Sequence, residues 1–133
     1  MLEGTGMETV TRYLAVALGG ALGAAARYYL NGSVLSRVSP PFPTATFVIN
    51  VTGSFIIGFF LTYVTERISV SPHLRLAVVV GFVGAYTTFS TFEYETAILL
   101  RERAYVPAFL YIISSFGAGL AAVFGGIFLA RKL

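Results

Sequence analysis

The chain has 133 residues, of which 56% are hydrophobic and only 11% charged. That excludes a disordered chain, which needs low hydrophobicity and high charge, and a water-soluble globule, which has nowhere to put so much apolar surface. With no Cys and a single His, disulfide frameworks, thiol chemistry, His-cluster metal sites and a Ser-His triad drop out, and a net charge of +3 is too small to mark a nucleic-acid surface.

A membrane-spanning helix takes roughly 20 residues. Four such spans with short loops would use the whole chain as one domain, and four apolar runs are present, at about residues 13–30, 44–63, 74–100 and 107–130. The first carries Gly19, Gly20 and Gly23. Small residues four apart mark close helix packing. Arg12 followed by an apolar stretch and Ala24-Ala25-Ala26 has the outline of a signal peptide. The segment reads better as the first span, because without it the chain loses a long partner helix; translation starting at Met7 is compatible with that. Arg27 near its far end is either a snorkelling anchor or an electropositive mouth that concentrates anions.

Ser39-Pro40-Pro41-Phe42-Pro43 forces an extended turn before the second run. In that run Thr46, Asn50, Ser54 and Gly58 recur every four residues and form one polar or small stripe. The Asn50 amide is costly to leave unpaired in hydrocarbon, so it is either an interhelical clamp or part of a solute path. Ser71-Pro72 reads as an N-cap followed by a first-turn proline and opens the third segment.

That third segment is anomalous. Its apolar run ends at Tyr86 and gives way to the polar block Thr87 to Thr96 before Ala97-Ile98-Leu99-Leu100. Irregular backbone at membrane depth is tolerated only where protein buries it or water lines it. The segment is therefore either interfacial, leaving three spans, or a span broken mid-membrane; its length favours the break, with Gly81 and Gly84 expected to supply the freedom for it. Arg101-Glu102-Arg103 makes a short charged loop. In the last run, Gly117, Ala121 and Gly125 suggest a second packing face, while Tyr111, Ser114 and Ser115 place hydroxyls at mid-depth.

With four spans, Arg12, Arg67, Arg75, Arg131 and Lys132 share one side, and Arg27, Arg37, Arg101 and Arg103 the other. So even a division gives almost no orientation preference, and it suits a chain that inserts both ways and pairs as an antiparallel homodimer. The intramembrane polar groups are Asn, Ser, Thr and Tyr, all donors, and the acids near a span are Glu93 and Glu95. A donor-lined path without a mid-span carboxylate leans to an anion or a neutral solute over a cation. A small dual-topology proton-coupled multidrug exporter has the same outline but needs a carboxylate in its first span, and none lies between Arg12 and Arg27. A transport-inactive membrane subunit would explain the glycines but not the donors, and nothing in the chain suggests an enzyme.

The string Gly84-Ala85-Tyr86-Thr87-Thr88-Phe89-Ser90-Thr91-Phe92 resembles the signature of the Fluc/CrcB family of fluoride channels. Gly19 to Ala24 with Arg27-Tyr28, Asn50-Val51 with Gly53-Ser54-Phe55, and Glu95 three residues after Phe92 agree in order. The resemblance implies an all-α membrane protein of the prokaryotic plasma or inner membrane, with its third helix broken. It implies an antiparallel homodimer with two pores that passively exports fluoride and protects against its toxicity. It makes Phe89 and Phe92 the pore phenylalanines, Asn50 the pore amide and Thr46 a hydroxyl on the same track. Tyr111 and Ser115 would continue that track, and Thr88, Ser90 and Thr91 would be pore hydroxyls. Arg27 would sit in the vestibule, Glu95 would hold the far end, and the carbonyls of Gly84 and Thr87 would bind a structural sodium on the two-fold axis. Ala45, where the family often has Gly, and the extra acid Glu93 depart from the pattern.

Overall fold

The computed structural model describes residues 3–34 and 42–133, all of whose regular structure is helical. Arg37 of the charge tally and residues 39–41 of the proline-rich turn lie outside the described residues. Helix α1 is Glu3–Tyr29 and runs on into one wide π-helical stretch, Leu30–Val34. Helix α2 is Thr44–Glu66. Helix α3 joins Pro72–Arg75, a π-helical stretch Leu76–Val83 and Gly84–Tyr86 without a gap. Helix α4 is Phe89–Arg101, and helix α5 is Tyr105–Lys132. Counting α3 and α4 together, four segments are long and apolar enough to cross a membrane: Gly6–Gly32, Thr44–Glu66, Pro72–Arg101 and Tyr105–Lys132. Each runs past the apolar stretch that marks it in the sequence, because polar residues extend the helix at its ends.

Local chemistry sets the ends. Ser71 caps α3, its Oγ accepting from the Leu74 N–H, and Pro72 fills the first turn, where no N–H is required. Between α4 and α5 the chain turns through Arg103 at φ 60°, a left-handed position usually taken by Gly. The Ala104 N–H donates to the Leu99 carbonyl there and closes the helix end. At the other face, the Arg131 guanidinium holds the Glu66 carboxylate at 2.8 Å, and Arg67 donates to the Arg131 carbonyl, so α2 and α5 are clasped at their C-terminal ends.

Two helix pairs make the body: α1 packs on α3, and α2 packs on α5, with α4 lying against α5 and α2. Glycine lets each pair close. A Cβ on Gly19 would sit 1.9 Å from the Ala77 carbonyl oxygen, and one on Gly23 2.2 Å from that of Phe82. Gly81 answers from the other side, where a Cβ would come within 2.6 Å of the Val16 carbonyl oxygen. In the second pair the close approaches are at Gly58 and Gly126. This corrects two expectations. The face of Gly117 and Gly125 is not a close approach: a Cβ on Gly117 would meet nothing within 4 Å. Nor do Gly81 and Gly84 loosen the third segment, since Gly81 is a packing residue and Gly84 keeps helical dihedrals of −61° and −37°.

Little of the apolar surface is buried within one chain. Tyr111, Ile49, Ala108, Leu99 and Ala130 are enclosed, whereas Leu18, Leu22, Phe109, Phe116, Phe124 and Phe128 are open. Such faces need lipid or another chain against them. Gly126→Val should lower thermal stability in detergent by about 1–3 kcal/mol, the usual cost of overpacking. Gly117→Ala should stay within about 0.5 kcal/mol of the parent, as expected for a position with open space around it.

Candidate functional site

The helical backbone of the third segment stops at Thr87 and resumes at Phe89. Thr87 (φ −77°, ψ 157°) and Thr88 (φ −150°, ψ 110°) are extended, a conformation β-branched residues adopt without strain, so no glycine is needed there. Extension strands backbone groups, and α2 takes up one residue's worth. The Thr88 N–H donates to Asn50 Oδ1 at 2.8 Å, and Asn50 Nδ2 donates to the Thr88 carbonyl at 3.1 Å. The Asn50 amide thus makes a two-point clamp and keeps one N–H to spare. Thr88 also caps α4: its Oγ1 accepts from the Thr91 N–H at 3.3 Å and donates to Thr91 Oγ1 at 2.9 Å. Gly53 lets the strand come in, since a Cβ there would lie 2.2 Å from Thr87 Cγ2.

These bonds have a second effect. In a continuous helix the Thr88 N–H would serve the Gly84 carbonyl, and the Thr91 N–H the Thr87 carbonyl. Both donors are spent elsewhere, so both carbonyls lose their helical partners. Hard oxygen donors of this kind suit a small cation. Among the described residues no group of three or more His, Cys, Asp or Glu side chains could hold a metal ion.

A second cluster fixes α4 on its other side. Glu95 accepts from Thr46 Oγ1 at 2.9 Å and from the Tyr111 hydroxyl at 2.8 Å, tying α4 to α2 and α5. Tyr111 is fully buried, with Phe92 and Phe42 against its ring at centroid distances of 5.0 and 5.2 Å. Thr46 and Tyr111 direct their protons to the carboxylate and are therefore supports rather than free donors.

Two cavities flank the interruption. The larger, about 650 Å³, lies between α2, α4 and α5, and Asn50, Thr87, Phe89, Phe92 and Ser115 line it with apolar neighbours. Phe89 and Phe92 lie 5.9 Å apart there, Phe89 being 70% exposed. The Ser115 Oγ is buried with no hydrogen-bond partner among the described residues. The smaller cavity, about 330 Å³, opens between α1, α2 and α4 and is lined by Arg27, Asn31, Thr46 and Thr91, among others. Thr88 lines both.

Within the single chain, the residues read from the sequence divide between the two cavities. Phe89, Phe92, Asn50 and Ser115 share the larger cavity, whereas Thr46, Thr91 and Arg27 share the smaller one. Tyr111 and Glu95 lie behind the walls, and the exposed Ser90 lines neither cavity. Asn31 was not singled out, though it stands one helical turn beyond Arg27 and so shares its face. Thr52 and Tyr86, which bond across α2 and α3, were also missed; Thr52 falls outside the four-residue stripe through Asn50.

Four helical segments apolar enough to cross a membrane, with cavities beside an interrupted one, suit a small channel or carrier. The family model described as CrcB-like protein, Camphor Resistance (CrcB), matches residues 14–127, and the chain belongs to that family. It is 47% identical over 121 residues to "Fluoride-specific ion channel FluC" of Solibacter usitatus, covering 91% of this chain and 99% of that protein. To the protein of the same name from Acidobacterium capsulatum it is 48% identical over 122 residues, covering 92% and 98%. The one from Roseiflexus sp. is 44% identical over 120 residues, covering 90% and 97%. The family is one of ion channels rather than enzymes, and the chain is a multi-pass protein of the prokaryotic cell membrane.

Replacing Asn50 by Leu strands the Thr88 N–H and carbonyl. That should cost about 1–3 kcal/mol for each buried group left unsatisfied, read as a drop in thermal stability.

Proposed function

We propose that the chain is a fluoride channel subunit, and that two copies inserted in opposite senses form a homodimer with two pores. Fluoride enters cells as neutral HF and is trapped as the anion at neutral pH, so a passive pore for the anion drains it outward and relieves its toxicity. The supporting observation is the cavity at the Thr87–Thr88 interruption, where Asn50 keeps an N–H to spare and the Ser115 hydroxyl has no partner among the described residues, together with the names of relatives that match nearly the whole chain. On this reading the interruption lies at mid-membrane.

The cavities suggest the roles. Arg27, in the smaller one, raises the local anion concentration at the mouth, where Thr91 adds a hydroxyl. In the larger one the spare Asn50 N–H and the unpartnered Ser115 hydroxyl are donors, and Phe89 and Phe92 present the positive edges of their rings to the anion. Thr88 stands between the two stretches, and Ser90, exposed beside Phe89, faces the partner copy or water. Glu95, with Thr46 and Tyr111, holds α4 in place.

A second copy is supported by the open faces. Phe89 and Phe116, which line the larger cavity, are largely exposed, and the basic residues divide almost evenly between the two sides. A two-fold axis beside the interruption would gather the carbonyls of Gly84 and Thr87 from both copies into four oxygens. A structural sodium held there would neutralise the carbonyl dipoles and lock the two copies together.

Purified protein in liposomes should pass fluoride rapidly and chloride negligibly, with no dependence on a proton gradient. Equal flux of both anions, or none, would contradict a fluoride channel. Phe92→Ile should cut fluoride flux at least about tenfold, equivalent to about 1.4 kcal/mol on the barrier; unchanged flux would remove the ring edge from the mechanism.

A further inference from the structure

Tyr86 is the last helical residue before the interruption and is 5% exposed. Its ring stacks on Phe82 with centroids 5.7 Å apart, and its hydroxyl lies 2.8 Å from Thr52 Oγ1. The Thr52 proton is directed back to its own helix, to the carbonyls of Val48 at 2.7 Å and Ile49 at 3.1 Å. The Tyr86 O–H is therefore the donor, and Thr52 accepts. Around α2, at about 100° per residue, Asn50 and Thr52 fall on either side of Gly53. Gly53 is where Thr87 comes closest, and a Cβ there would also stand 3.3 Å from the Tyr86 ring. Consecutive residues Tyr86, Thr87 and Thr88 are thus each met by one residue of α2: Thr52, Gly53 and Asn50.

We propose that Tyr86 is a positioning residue: through its hydrogen bond to Thr52 it fixes where the last turn of α3 ends against α2, and so aims the carbonyls of Gly84 and Thr87. A buried aromatic that only filled space would need no hydroxyl, and Phe would serve as well. The Asn50 clamp holds the far end of the extended stretch and cannot set the rotation of the turn that precedes it. The Tyr86–Thr52 bond supplies that second fixed point. The sodium consequence rests on the reading proposed above; the placement of the interruption does not.

The test uses the full-length protein with Tyr86→Phe, Thr52→Val and Thr52→Ser. Backbone hydrogen exchange at Thr87 to Phe89 should speed up about fivefold in Tyr86→Phe, the factor expected from one neutral hydrogen bond. Exchange in the α2–α5 contact around Gly58 should not change. Thr52→Val should reproduce the effect, the double variant should add nothing further, and Thr52→Ser should behave as the parent. In thermal unfolding followed against sodium concentration, the midpoint for stabilisation should rise by a similar factor in Tyr86→Phe. Parent-like exchange at Thr87 to Phe89 in both Tyr86→Phe and Thr52→Val overturns the positioning role. A general loss of protection in both, including around Gly58, overturns it too, because it marks a space-filling residue. A parent protein indifferent to sodium removes the sodium reading alone, and the exchange pattern still decides on Tyr86.

Discussion

A buried backbone N–H or C=O that leaves a helix must find another partner, and this structure is organised around two residues that step out of one. Thr87 and Thr88 step out of the helix, and α2 receives them. Asn50 gives the Thr88 backbone the pair of bonds that a helix would have given it. The Thr88 side chain then becomes the cap of the helix that follows. Spending donors this way leaves the Gly84 and Thr87 carbonyls without helical partners and opens a cavity on each side of the interruption.

The rest of the architecture keeps α2 in position to do this. Gly58 and Gly126 bring α2 and α5 into backbone contact, and Glu66, Arg67 and Arg131 fasten their ends. Gly19, Gly23 and Gly81 do the same for α1 and α3. Glu95 then ties α4 to the second pair, taking a hydroxyl from α2 and another from α5. The outer faces of α1 and α5 remain apolar and open, which suits lipid on one side and, in the proposed assembly, an inverted copy on the other.

Much of this was legible in the sequence because it depends on one-dimensional pattern. Apolar runs mark the four spans, Ser71-Pro72 marks a helix start, and the polar block after Tyr86 marks the irregular segment. Asn50 stood out because an amide is costly in hydrocarbon, and it is now placed as a clamp with a donor to spare. Features that depend on how helices rotate against one another were not legible. Gly126 rather than Gly125 faces α2, Gly81 packs rather than bends, and the hydroxyls of Thr46 and Ser115 point into different surroundings although both lay on the expected track. The Thr52–Tyr86 bond joins two residues that no periodicity connects.

The central claim is that the interruption at Thr87–Thr88 opens to water and not to lipid. The chain has no cysteine, so single cysteines can be read without background. A small, charged, membrane-impermeant thiol reagent applied to the protein in bilayers should label Thr91→Cys, in the cavity with Arg27, and should leave Leu22→Cys, on the open apolar face of α1, unlabelled. Labelling of neither position, or of both at the same rate, would contradict a water-lined path beside the interruption.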